Sequence, residues 1–290
     1  MIIASQTALT AAAARAAHLI VDQSPWIFTD TLAMALLGDQ GPGLVDYHRA
    51  HGTHVVLAGA RAQVTCRSRY AEDALAAAIG RGVSQYLILG AGLDSFSYRS
   101  DLARMVKVFE VDHPDSLEAK LARLSAARIA LPGNVVFVPF DFEQESLTEA
   151  LTGHQFDRAL PAFVSWLGVT VYLTEAALAG TLAEIGRFAQ GTEIVADYML
   201  PPDMRDADGS AYAEQVAPVA AEHGEPWLTF LAPAQMSDLL ASGGWTPLRH
   251  VSQHQVGGAG TWQRSDSLRP AALSVIAHAQ VRRPTERSGA

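Results

Sequence analysis

Gln85-Tyr86-Leu87-Ile88-Leu89-Gly90-Ala91-Gly92-Leu93-Asp94-Ser95-Phe96, followed by Val108-Phe109-Glu110-Val111-Asp112, is the stretch that decides the fold. A short apolar run predicts a buried strand, the glycines predict a tight turn into a helix, and a second apolar run ends in acid. Gly90 and Gly92 let the backbone turn and let a ligand approach without meeting a Cβ atom. Asp112 lies 22 positions after Gly90, close to the spacing of a carboxylate that holds ribose hydroxyls. Together these features predict a nucleoside-cofactor site. Its candidate contacts are Gly90, Ala91, Gly92, Glu110, Asp112 and His113, the last also shaping a turn with Pro114.

The kind of nucleoside follows from two departures. A dinucleotide loop wants a third glycine where this chain has Ser95, and Asp94 brings negative charge to the place a pyrophosphate would occupy. A Tyr-x-x-x-Lys pair of the hydride-transfer type is also missing, because the only lysines are Lys107 and Lys120 and neither has the tyrosine. A nucleotide-dependent oxidoreductase is therefore the weaker alternative. S-adenosylmethionine, with a ribose, an adenine and a sulfonium but no phosphate, suits the loop better.

Working outward, 290 residues with 49% hydrophobic content allow one large domain. A net charge of −9 argues against a nucleic-acid partner. A single cysteine, Cys66, excludes an internal disulfide, and the ten histidines are scattered, so no metal is expected. His48, His51 and His54 form only a loose cluster. With no membrane-length apolar run and no leader pattern, the expected setting is cytoplasmic.

Helices are expected over 5–20 with Ser5 as N-cap, from Ser24-Pro25 through Leu37, and over 57–79, with a turn at Gly41-Pro42-Gly43. Strands are expected at 85–89, 107–111, 135–140, 161–165, 192–197, 246–251 and 273–279, alternating with helices at 114–130, 145–152, 174–188 and 233–242. That alternation predicts a Rossmann-like, mostly parallel seven-stranded α/β sheet. Residues 1–80 read as a helical cap contributing to the cofactor site, 81–281 as the core, and 282–290 as a flexible tail. The Pro-, Asp- and Gly-rich piece over 201–229 reads as an irregular insertion covering the crevice.

In order along the chain, Arg67-Ser-Arg-Tyr-Ala-Glu-Asp73, Leu89-Gly-Ala-Gly-Leu-Asp-Ser-Phe-Ser-Tyr-Arg99, Phe109-Glu-Val-Asp-His-Pro114, Val138-Pro-Phe-Asp-Phe142 and Ser165-Trp-Leu-Gly-Val-Thr-Val-Tyr-Leu-Thr174 resemble the leucine carboxyl methyltransferase-like branch of the class I S-adenosylmethionine-dependent methyltransferases. The resemblance implies the class I fold and that cofactor, with S-adenosylhomocysteine as product. It implies Arg67 on the cofactor carboxylate, Gly90 and Gly92 in the loop, Asp112 on the ribose, and Asp141 with Phe142 at the adenine. Read from the residues alone, Arg61 and Arg69 compete with Arg67. Protein-carboxyl methyltransferases carry a glutamate after the fourth strand, where this chain has Ser165-Trp-Leu-Gly-Val169, so their substrate preference does not transfer. The stretch looks like that of a bacterial subgroup often associated with small-molecule or uncharacterised substrates.

Trp166, Tyr172 and Tyr198 lie near strand ends, either as an aromatic wall for the sulfonium or as ordinary core. Trp166 is therefore both a cofactor and a substrate-pocket candidate, and Thr170, Tyr172, Tyr198, Trp227 and Phe230 complete the pocket. His223, between Glu222 and Glu225, is the candidate general base, with Tyr172 and Tyr198 as further catalytic candidates. The expected activity is O-methylation of a small-molecule carboxylate or hydroxyl in secondary metabolism, by a monomer or homodimer. C- or N-methylation, or cofactor binding without catalysis, are the alternatives.

Overall fold

A computed structural model describes residues 5–258 and 260–281; the tail expected over 282–290 lies outside them. The chain opens with α1 (Gln6–Val21), α2 (Ala33–Leu37), α3 (Gly41–His51) and α4 (Val55–Gly80). Then come β1 (Gln85–Leu89), α5 (Phe96–Arg99), β2 (Lys107–Asp112), α6 (Pro114–Ala126), β3 (Val135–Pro139), α7 (Leu147–Thr152), β4 (Ala162–Trp166), α8 (Glu175–Ile185) and β5 (Glu193–Met199). The remaining elements are α9 (Ala207–Glu222), α10 (Pro233–Ser242), β6 (Trp245–Ser252) and β7 (Ser274–Val281).

The strands form one seven-stranded sheet in the order β3-β2-β1-β4-β5-β7-β6, parallel except for β7. Residues alternate between two cores, as a period of two demands. Leu87, Phe109, Val164 and Trp166 pack on one face, and Tyr86, Ile88, Val108 and Phe163 on the other. Both faces being covered, the strands read as continuous apolar runs. The winding reverses between β1 and β4, which opens a crevice at their carboxyl ends.

Three expectations change. Gly41-Pro42-Gly43 is not a turn but the first turn of α3, where proline is tolerated because its missing N–H has no helical partner to lose. Residues 25–32 are not helical; Asp30 Oδ1 accepts the N–H groups of Leu32 and Ala33, so the helix starts only at Ala33. The insertion is not irregular, since Asp206 caps α9 by accepting from Gly209 N–H, and the helix runs 16 residues with Pro218 inside it. Ser5 does cap α1, accepting from Ala8 N–H. Among the described residues no helix is long and apolar enough to cross a membrane.

Candidate cofactor and acceptor site

A cavity of about 810 Å³ opens at the crevice, lined from the sheet by Gly90 to Asp94, Asp112 and Leu167 to Leu173, and roofed by α1, α3, α4 and α9. That volume lies within the ~300–1,000 Å³ range of small-molecule sites.

Gly90 has φ +68°, and a Cβ there would fall 2.2 Å from Val169 Cγ2, so glycine is required on both counts. Gly92 N–H donates to Asp112 Oδ2 at 2.6 Å, and His113 N–H donates to Asp112 Oδ1 at 2.7 Å. Each carboxylate oxygen keeps a further lone pair for a ligand. Burial pushes the Asp112 pKa up, opposed by those two N–H groups and by the charge of Lys120. Beside it, Asp141 accepts from Glu143 N–H and from the Gln144 side chain, and Phe142 lies on the cavity wall.

Of the three competing arginines, only Arg67 faces the cavity. Arg61 is fully buried on Asp22, and Arg69 is exposed and paired with Asp73. Arg67 Nη1 donates to Asp197 Oδ2 at 3.1 Å, while Gly168 N–H donates to Asp197 Oδ1 at 2.5 Å. Gly168, at φ +74°, leaves room for the guanidinium; a Cβ would sit 2.3 Å from Arg67 Nη2. A guanidinium has five N–H donors, so most of the Arg67 fork remains for an incoming carboxylate.

Tyr172, Thr170, Tyr198 and Trp227 also reach the cavity wall. Burial raises the Tyr172 pKa, and the Glu225 charge adds to this, against Arg67 and the neighbouring Trp227 and Thr7 side chains. The Thr170 hydroxyl donates to Asp197 O at 2.6 Å, and the Tyr198 hydroxyl bonds His250 Nδ1 at 2.9 Å, so both are already committed.

Four candidates are not brought to the cavity. Glu110 is fully buried, 2.7 Å from Lys120 Nζ, and accepts from the Ser97 and Tyr98 hydroxyls, because helix α6 crosses above the middle of β2. Trp166 is fully buried and stacks under Phe142 at 5.6 Å, supporting the wall from behind. Phe230 packs beneath the Arg205 guanidinium, 5.0 Å away, outside the lining. His223 is exposed and its Nδ1 contacts Val219 O at 2.7 Å, because the last turn of α9 points it away; Glu225, two residues on, lines the cavity instead.

Sequence reasoning missed several lining residues. Arg15, alone among the alanines of α1, donates to Asp30 at 2.8 Å and to Leu93 O at 2.7 Å, tying the glycine loop to the N-terminal helix. Burial works against ionisation of Asp30, but the charges of Arg15 and Arg99 with the Ser95 hydroxyl hold its pKa below the ordinary range. Ser95, in place of the third glycine, thus anchors the loop by donating to Asp30. Asp197 was signalled only as the acid that follows Ile194-Val195-Ala196. Glu225 accepts from Thr7 N–H at 3.2 Å and from the Ser5 hydroxyl, at the positive end of α1. Among the described residues no group of three or more His, Cys, Asp or Glu is arranged to hold a metal.

Residues 8–186 match the family model described as leucine carboxyl methyltransferase. The chain belongs to that family. A Bacillus subtilis relative, named "Putative S-adenosyl-L-methionine-dependent methyltransferase YktD", is 32% identical over 204 residues, 70% of this chain and 67% of its own. A relative of the same description from Streptomyces coelicolor is 31% identical and matches over 60% of this chain and 62% of its own. A crystal structure described as a putative methyltransferase from Thermobifida fusca superposes with a TM-score of 0.57 at 18% identity, over 86% of this chain and 92% of that one. That likeness concerns the fold. As a member of the family, the protein is an S-adenosylmethionine-dependent methyltransferase with the class I fold.

Proposed function

We propose that this leucine carboxyl methyltransferase family member methylates an oxygen of a small molecule, a carboxylate or hydroxyl of secondary metabolism. The observation that carries the cofactor's placement is Asp112, at the carboxyl end of β2. It faces the cavity with both oxygens oriented by loop N–H groups and free to accept from a ribose diol. Arg67 takes the amino-acid carboxylate with its unused donors, trading part of its hold on Asp197. Gly90, Ala91 and Gly92 bring backbone close to the ligand. Asp141, Phe142 and His113 flank the adenine.

S-adenosylmethionine supplies an already activated methyl group on a sulfonium. The protein's residues therefore orient and exclude water, and alignment alone is worth up to ~7–11 kcal/mol in favourable cases. Glu225 and α1 close the roof over the acceptor, and Tyr172 presents a neutral hydroxyl beside it.

Calorimetric titration with S-adenosylhomocysteine tests the assignment. Wild type is expected to bind at about micromolar Kd and Asp112→Ala at least tenfold more weakly, about 1.4 kcal/mol. No heat and no thermal stabilisation of wild type would refute it. Binding unchanged in Asp112→Ala would remove the ribose role.

A further inference from the structure

The cavity has a second wall that the cofactor contacts do not use. Val56, Ala60, Tyr172, Val216 and Trp227 are half-buried and pack onto the hydrophobic cluster containing Tyr212, separate from the cluster that backs Phe142. All six line the cavity. Tyr212 and Trp227 lie nearly parallel, 19° apart with centroids at 6.5 Å, so two aromatic faces border the same space. Gly59 admits this arrangement, since a Cβ there would reach 3.0 Å from the Tyr212 ring.

Charge on the lining is one-sided. Asp94, Asp112, Asp141, Glu143, Asp197 and Glu225 face two guanidiniums, Arg15 and Arg67. Both are already in ion pairs, with Asp30 and Asp197. The buried histidine of the lining, His48, adds no positive charge near neutral pH. Burial and the Arg61 charge hold the His48 pKa down to about 4. An anionic acceptor entering this space would give up water, meet more carboxylates than cations on the lining, and gain only the sulfonium of the bound cofactor in return.

We infer that the acceptor is an uncharged planar aromatic molecule bearing a hydroxyl, held against the wall formed by Tyr212, Trp227 and Tyr172, and that the chamber rejects carboxylates. This narrows the carboxylate-or-hydroxyl alternative and rests on the cofactor assignment proposed above. Aromatic walls reward a flat partner with offset or edge contacts at ~4.5–7 Å. The Tyr172 hydroxyl supplies a neutral polar partner for the acceptor hydroxyl.

The probes are 2-naphthol and 2-naphthoate, alike in shape and opposite in charge, titrated calorimetrically into protein saturated with S-adenosylhomocysteine. Naphthol is expected to bind at least tenfold more tightly than naphthoate. Trp227→Ala should weaken naphthol at least fivefold while leaving the Kd for S-adenosylhomocysteine within twofold. Val216→Arg, which places a cation on the wall, should narrow or reverse the preference. Equal or tighter binding of naphthoate to wild type overturns the inference, as does a Trp227→Ala variant that binds both S-adenosylhomocysteine and naphthol like wild type. Failure of S-adenosylhomocysteine itself to bind overturns the cofactor assignment and the inference with it. Intact cofactor binding without naphthol selectivity overturns the acceptor class alone.

Discussion

Replacing Lys120 by Met should damage this protein more than most single changes. Lys120 and Glu110 are both fully buried with nitrogen and oxygen 2.7 Å apart, and the Ser97 and Tyr98 hydroxyls also donate to the carboxylate. Methionine fills much of the lysine's volume, so the loss is electrostatic rather than a cavity. It strands a buried carboxylate, which costs about 3–5 kcal/mol. Total stabilities run at about 5–15 kcal/mol, so about a fifth or more is at stake. With a urea m-value of about 3 kcal/mol/M, the unfolding midpoint should fall by about 1–1.7 M. Adding Glu110→Gln removes the stranded charge but keeps an oxygen for the two hydroxyls, and the double variant should recover at least half of the loss. A loss below 1 kcal/mol for Lys120→Met, or a double variant no more stable than the single one, would refute the buried-pair account.

Gly90→Ala places a Cβ 2.2 Å from Val169 at φ +68°; expect a stability loss of about 1–3 kcal/mol and S-adenosylhomocysteine affinity reduced at least tenfold, both read by denaturation and calorimetry. The His48 pKa is lowered from 6.5 to about 4, so the unfolded chain takes up that proton first. This share of stability is present above about pH 6.5 and lost as pH falls toward 4; urea midpoints across that window should fall less steeply in His48→Gln. Glu225→Ala removes the carboxylate from the N-terminus of α1, and should cost about 0.5–2 kcal/mol and speed amide exchange over the first turn of α1.

The sheet was legible because its strands are apolar runs bounded by glycine, proline and acid, and burial on both faces permits nothing else. The helix over Ala207–Glu222 was not, because Pro218 and Asp208-Gly209 within it, and Pro201-Pro202-Asp203 before it, carry loop chemistry. Proline breaks a helix only when it removes a bond or a clash cannot relax, and local sequence does not say whether packing offsets that. Glu110 and Asp112 look equivalent, two apart on one strand and thus on one face. Their fates differ because Lys120, ten positions beyond Glu110, reaches back over the strand's middle and not its end. Arg61, Arg67 and Arg69 point to different sides of one helix at 100° per residue. Which side meets the crevice depends on how α4 packs, a tertiary fact. Glu225 was invisible for the same reason: its partners, Ser5 and Thr7, sit at the other end of the chain.

That last contact joins residues 220 positions apart. A seam between such distant stretches is local neither to the helix nor to the loop it joins, so it holds only while both ends of the chain are docked. It also lies where opening requires only a helix end to fray, not a core to break. Fraying at Ser5 and Thr7 would therefore loosen the roof of the cavity without disturbing the sheet beneath it.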